Sequence, residues 1–372
     1  VEPFTLNRKF IEQDVIDNFL SCIWTERYYG DSEVELVVPG TLEMFKKLTP
    51  GTFIGLEGSD EIMIIDTATI EKDKLKVVGS SLLMFLNNRF IRVSAAHEDR
   101  YWYLEGVPGW LLWAIVYYMC VTGSPYLNGT YPTGVTNPQS LAIPGLGLKD
   151  YDKTGASVKV GIPYGPVYDA MREIATTYQV GMQITLESVT DTDFTLGFRS
   201  YRGLDHTSGQ NVNPIVRFSP QMDSLASIKE LQSIASFKTL TYAFAPSNPG
   251  GLATTPGRDA LSGDQYTGFD LRAQLIFTED VTTDMVGGSA ANLLAILNTR
   301  AHDANTNHPY IKTVDGEIVP QNQFKYGVHY NLGDVIEVQG NSGVVSTSRV
   351  TEYIRAEDEN GERAYPTVAM LG

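Results

Sequence analysis

Cysteine and histidine are scarce: two cysteines and five histidines in 372 residues. Cys22 and Cys120 lie far apart, each inside an apolar stretch, which excludes a disulfide framework and any paired-cysteine zinc spacing. They read as two buried free thiols or as one cystine, compatible with either redox compartment. Clustered cations are also missing. The chain carries 28 basic and 44 acidic residues, net −16, with no dense Lys/Arg run, which disfavours a tight grip on nucleic-acid phosphates; ordinary solubility accounts for the acidity equally well. The longest apolar run, Trp110 to Val121, falls short of the roughly 20 residues that cross a bilayer and reads as a buried helix, so no membrane span is expected. Val1 to Arg8 lack the basic-then-apolar order of a secretory signal. No glycine-rich phosphate loop is present either.

What is abundant is core material. Hydrophobic residues make up 42% of the chain, including 20 tyrosines and 15 phenylalanines, enough to fill real cores and to exclude wholesale disorder. At about 150 residues per domain, the length predicts two or three compact units.

The first hundred residues read as short strands between turns: Asp14 to Tyr29, Glu33 to Val38, Gly51 to Glu57, Glu61 to Ile70 and Lys74 to Gly79. Short helices are expected over Thr41 to Leu48, after the Pro39-Gly40 breaker, and over Ser80 to Arg89. Composition shifts near residue 101, and a Gly/Pro-rich loop runs from Gly123 to Gly147. Tyr164 to Tyr178 has the spacing of an amphipathic helix, and a hairpin follows with arms Gly181 to Val189 and Phe194 to Tyr201. Asn211 to Ala245 reads as strand, short helix and strand. Pro246 to Gly268 reads as an exposed loop. A helix over Ala290 to Asn305 precedes the strands Asp334 to Val338, Val344 to Arg355 and Arg363 to Met370.

The strand, longer strand and strand of residues 50–79 recur in outline over residues 332–368. Meandering β segments often look alike, and the alternative is two copies of one small barrel.

Catalytic constellations are weak. His302-Asp303 with His308 sits near a helix end, but spacing of six residues does not put both imidazoles on one face, so a solvated helix end is the simpler reading. Asp205, His206 and Ser208 have triad residue types without a nucleophile elbow, and a polar turn from Gly203 to Gln210 accounts for them. The pairs Glu98/Asp99, Asp191/Asp193 and Glu357/Glu359 supply carboxylates for glycoside hydrolysis, yet each sits in a turn-like context. Trp110 to Val121, with Trp102 nearby, is apolar all round. It suits core packing, a subunit interface or a ligand-stacking platform. No catalytic, cofactor-binding or metal-ligating residue is assigned.

From Ile16-Asp17-Asn18-Phe19-Leu20-Ser21-Cys22-Ile23-Trp24-Thr25-Glu26-Arg27-Tyr28-Tyr29-Gly30 through Leu36, the sequence resembles the hub proteins of long-tailed phages, the ReqiPepy6-type siphovirus tail proteins. More distantly it is similar to the tail-associated, Tal-like baseplate hubs. Further blocks agree in order: Gly79 to Leu86 with Arg89, Ile162 to Asp169, Tyr201-Arg202-Gly203-Leu204-Asp205-His206-Thr207, and Leu332-Gly333-Asp334-Val335 with Arg349 to Tyr353. Two departures are His206, where many relatives carry a basic residue, and the Gly123 to Gly147 loop.

The resemblance implies a mainly β chain with α/β insertions: two similar small β-barrels and two smaller α/β domains. The first barrel is expected over 1–100, an α/β domain over 101–210, the second barrel over 211–246 and 310–372, and a loop and helical insertion over 247–309. It further implies a non-enzymatic homotrimer in the virion at the tail tip, made in the host cytoplasm, which adapts a six-fold tube to a three-fold tip and gates DNA passage. The implied partners are a distal tail ring protein, the tape-measure protein and a central fibre or other minor tail proteins, with genomic DNA only in transit. On that view acidic side chains along the bore repel DNA over a screening length of about 8 Å, and cohesion comes from apolar and strand-edge contacts. The rival functions are a hexameric distal tail ring protein, a tail-associated cell-wall hydrolase and a glycan-binding receptor module.

Overall fold

The computed structural model describes residues 1–91, 101–122, 141–190, 193–245, 255–263, 265–278, 281, 286, 288–319 and 323–371. The chain forms two compact units. The first comprises Val1–Arg217, Ile318–Glu337 and Ser348–Ala369, and the second Phe218–Glu317, Val338–Thr347 and Met370–Gly372. The protein is mainly β.

In the first unit, strands β1 (Pro3–Leu6), β2 (Glu12–Val15), β3 (Ser21–Arg27), β4 (Glu33–Pro39), β5 (Phe53–Leu56), β6 (Met63–Glu71) and β7 (Lys74–Ser81) join one sheet in the order β3-β4-β7-β6-β5-β1-β2. Alternation dictates its faces: Val34, Leu36 and Val38 on β4 are fully buried, as are Leu75 and Val77 on β7, as a half-buried strand requires. They enclose a core with Trp24, Cys22, Ile54 and Met63. The single strand expected over Asp14 to Tyr29 is in fact two. The N–H of Ile16 bonds to Pro3 O and that of Leu20 to Val37 O, so the chain changes partner strand at Asp17-Asn18, residues that favour turns. A short helix, α1 (Leu42–Lys47), is capped by Thr41, whose Oγ1 accepts the Met44 N–H at 3.2 Å.

The strands of the C-terminal echo join this same sheet. Val345–Asp358 pairs antiparallel with β3, running from Glu352 opposite Arg27 to Glu357 opposite Cys22, and Gly361–Met370 pairs with it in turn. Backbone pairing closes neither set of strands into a ring among the described residues. A side chain reaches across instead, for Arg355 Nη1 donates to Glu57 O at 3.1 Å.

A second core in this unit holds α2 (Pro108–Val116), α3 (Val167–Thr177) and the hairpin Gly181–Thr190 with Asp193–Tyr201. The apolar run of α2 continues into a π-turn, Tyr117–Val121. Leu111, Leu112, Ile115 and Val116 are fully buried, so its aliphatic side chains pack in a core. Trp113 stays at the rim, stacked on Tyr117 with centroids 5.3 Å apart. Cys22 and Cys120 belong to separate cores as free thiols, and burial pushes each thiol up to about 12.

The second unit contains the three-stranded sheet Gly257–Ala260, Leu240–Phe244 and Ala273–Phe277, in that order. The helix α4 (Ala290–Thr306) packs Leu293, Leu297 and Ala301 against it. Part of the expected loop from Pro246 to Gly268 is therefore strand. A side chain at Gly257 would meet the backbone of Leu297 at 2.2 Å. The glycine permits helix and strand to approach. Residues 246–254 and most of the Gly123 to Gly147 loop lie outside the described residues.

Candidate functional site

The sequence blocks that carry the resemblance converge on one polar junction in the first unit. Gly203 lies on Gly333: a Cβ at Gly203 would stand 2.1 Å from Gly333 C and 2.3 Å from Asp334 N. Around this crossing the two segments lace together through their backbones. Val335 N–H bonds to Leu204 O at 2.8 Å, and His206 N–H bonds to Val335 O at 2.8 Å. Asp334 accepts the N–H groups of Leu204 and Asn331 at 2.6 and 2.7 Å and faces His206 Nε2 at 3.3 Å. Burial raises the Asp334 carboxyl above its ordinary value despite those donors. Tyr28, buried on the far side of Gly333, donates its hydroxyl to Tyr201 O at 3.0 Å, and Arg349 lies over its ring while donating to Gly333 O at 2.6 Å. The remaining blocks attach from the side: Tyr168 OH bonds to Asp31 Oδ1 at 2.6 Å, and Val167 N–H bonds to Arg89 O at 2.9 Å.

Next to the crossing, Glu337 accepts Ser208 Oγ at 2.6 Å, Ser208 N–H at 2.9 Å and Arg217 Nε at 2.7 Å. Burial alone would raise the Glu337 carboxyl, but Ser208 and the Arg217 guanidinium outweigh it and hold the group below the ordinary value. Its contribution to stability is thus present above the ordinary carboxylate value and lost as pH falls through the folded-state value. Glu337→Gln is expected to cost about 1.5–3 kcal/mol at pH 7 and to flatten the acid limb of urea unfolding curves recorded between pH 6 and pH 3.

A third cluster lies inside β3. Cys22, Trp24 and Glu26 share its inward-facing parity, and Glu26 is a carboxylate at a core position. It is held by Arg355 Nη2 at 2.6 Å, Ser59 Oγ at 2.6 Å and Trp24 Nε1 at 3.2 Å. A cleft of about 460 Å³ opens beside it, lined by Glu26, Ser59, Arg199, Tyr201, Tyr326 and Asp334 among others.

The catalytic candidates are not assembled into machinery. His206 Nδ1 faces Pro214 O at 2.8 Å, Ser208 is engaged by Glu337, and Asp205 accepts the Thr207 N–H at 2.8 Å, so the three form a turn without a relay. His302 faces Asp259 at 3.4 Å, whereas His308 faces Ala304 O at 2.8 Å. Glu98/Asp99 and Asp191 lie outside the described residues. No group of three or more metal-ligating side chains occurs among the described residues, and none of their helices is long and apolar enough to cross a membrane. Sequence reasoning did not single out Glu26, Glu61, Arg217, Glu337 or Arg355. The available signal was a charged residue at an inward strand position, as at Glu26.

The family described as Siphovirus ReqiPepy6 Gp37-like protein matches residues 4–368. No curated protein matches the sequence. Solved structures of similar fold include prophage tail protein gp18 from Listeria monocytogenes, with TM-score 0.56 and 10% identity over 100% of this chain and 95% of that one. The 43 kDa tail protein of prophage MuSo2 from Shewanella oneidensis gives 0.53 and 12%, over 99% and 98%. A tail protein from Neisseria meningitidis gives 0.52 and 11%, over 99% and 95%. All three are tail proteins. The chain belongs to the Siphovirus ReqiPepy6 Gp37-like family, and its fold is similar to that of phage tail proteins.

Proposed function

We propose that this protein is the baseplate hub at the tail tip, a homotrimeric collar joining a six-fold tube to a three-fold tip and gating DNA passage. In this reading residues 1–100 form one barrel-like portion and residues 211–246 with 310–372 the other, so three chains present six near-equivalent portions. The observation that carries it is the in-register pairing of Ser21–Arg27 with the C-terminal strand, Cys22 opposite Glu357 through Arg27 opposite Glu352. That pairing places the C-terminal echoed strands in the same sheet as the N-terminal ones, which supports this reading. Strand β2, exposed along its whole length at one end of the sheet, offers an edge for a neighbouring copy. The net charge of −16 suits a bore that repels passing DNA. The ring above, the tape-measure protein and a central fibre are the partners this position demands.

Mass measurement in solution tests the stoichiometry. The purified chain is expected to form a species of three times 41.0 kDa. A six-copy ring favours a distal tail ring protein instead, and a monomer at high concentration counts against the collar.

A further inference from the structure

Glu61 belongs to the segment joining β5 to β6 and is 2% exposed. Its Oε2 has no hydrogen-bond partner among the described residues. The segment that carries it docks the N-terminal sheet onto the hairpin. Glu61 bridges Thr185, and Leu186 N–H bonds to Asp60 O at 3.1 Å. Ser59 links the Glu61 backbone to a second carboxyl, for its Oγ accepts the Glu61 N–H at 3.2 Å while donating to Glu26 at 2.6 Å.

The groups that face Glu61 come from each element packed on it: Glu26 of β3, Ser32 after it, Gln183 of one hairpin arm, and Arg199 and Tyr201 of the other. Both nearby guanidinium groups bond elsewhere. Arg355 is engaged by Glu26, and Arg199 donates to Gln183 Oε1 at 3.1 and 2.7 Å. A neutral carboxyl is tolerated in such surroundings, whereas an ionised one has the Arg199 charge nearby but no partner on its Oε2. Burial first, and the Glu26 charge second, push the Glu61 carboxyl up to about 8, with hydrogen bonding from Ser32 and Gln183 and the Arg199 charge opposing them.

We propose that Glu61 is a proton-operated latch: neutral, it holds residues 57–61 on the hairpin strand Gly181–Thr190, and its ionisation releases that contact. The sign follows from proton counting. The docked state keeps the proton to about pH 8, while the released carboxyl loses it near 4.5, so docking weakens as pH rises between those values and levels off above.

Amide hydrogen exchange on the full chain between pH 5 and pH 9, corrected for the intrinsic rate, tests the latch. Opening of segments 57–65 and 181–190 is expected to rise about tenfold per pH unit up to about 8, the slope of one proton. The reference strand Glu33–Pro39 should not follow it. Glu61→Gln is expected to abolish the slope, and Glu61→Met serves if the glutamine variant does not fold. A wild-type profile without that slope, as when Arg199 turns to pair with an ionised Glu61, overturns the proposal. So does the same slope in either neutral variant.

Discussion

Arg355→Ala is expected to destabilise the first unit by about 3–5 kcal/mol, the usual consequence of removing one partner from a buried ion pair. The Arg355 and Glu26 side chains are 14% and 10% exposed, and the guanidinium also donates to Glu57 O on the far side of the sheet. Removing it strands a carboxylate beside Trp24 and Glu61 and frees one of the ties that draw the C-terminal strand toward β5. The effect is specific to the uncompensated charge. A double change, Glu26→Leu with Arg355→Met, should recover most of the loss because both charges leave together. All four tryptophans, Trp24, Trp102, Trp110 and Trp113, lie in the first unit, so urea unfolding followed by tryptophan emission reads this unit alone. A loss below about 1 kcal/mol, the range of an exposed pair, would show that water reaches the site.

The second large effect is steric. Gly203→Val places a branched side chain where the first carbon alone would meet Gly333 and Asp334 backbone atoms at 2.1 to 2.3 Å. Neither strand can retreat, because Leu204, His206 and Val335 exchange backbone hydrogen bonds across the same crossing and Asp334 clamps Leu204. The expected loss exceeds about 4 kcal/mol, read as failure to recover folded soluble protein. Gly165→Val is the control, since open space surrounds its missing Cβ and its φ is not in the left-handed region. Normal recovery of the Gly203 variant would mean that the crossing is looser than its geometry indicates.

Local pattern made some parts of this fold legible and left others hidden. The hairpin arms around residues 181–201, α3 and α4 follow from alternation and helical spacing, because each buries its own apolar stripe. The break inside Asp14 to Tyr29 was missed since both halves are strand. Only the change of partner from β1 to β4 separates them, and partner choice is a long-range property. The strand at Gly257–Ala260 was hidden by composition, for its glycine serves a helix contact with residues forty positions away. The polar junction was half visible. The blocks around Gly203 and Gly333 stood out through resemblance, and the turn reading of Asp205, His206 and Ser208 agrees with their bonds. Glu26 shows one local sign, a charge at an inward strand position, whereas Glu61 and Arg355 show none, because their partners come from segments distant in sequence.

The central claim is that both ends of the chain build equivalent portions of a three-fold collar. A symmetry-resolved image of the assembled tail tests it most directly. The account predicts three copies at the tip, with the strands of residues 1–100 and those of residues 332–370 in alternating, similar surroundings beneath the tube. Six copies, or two ends of the chain facing unrelated neighbours, would contradict it.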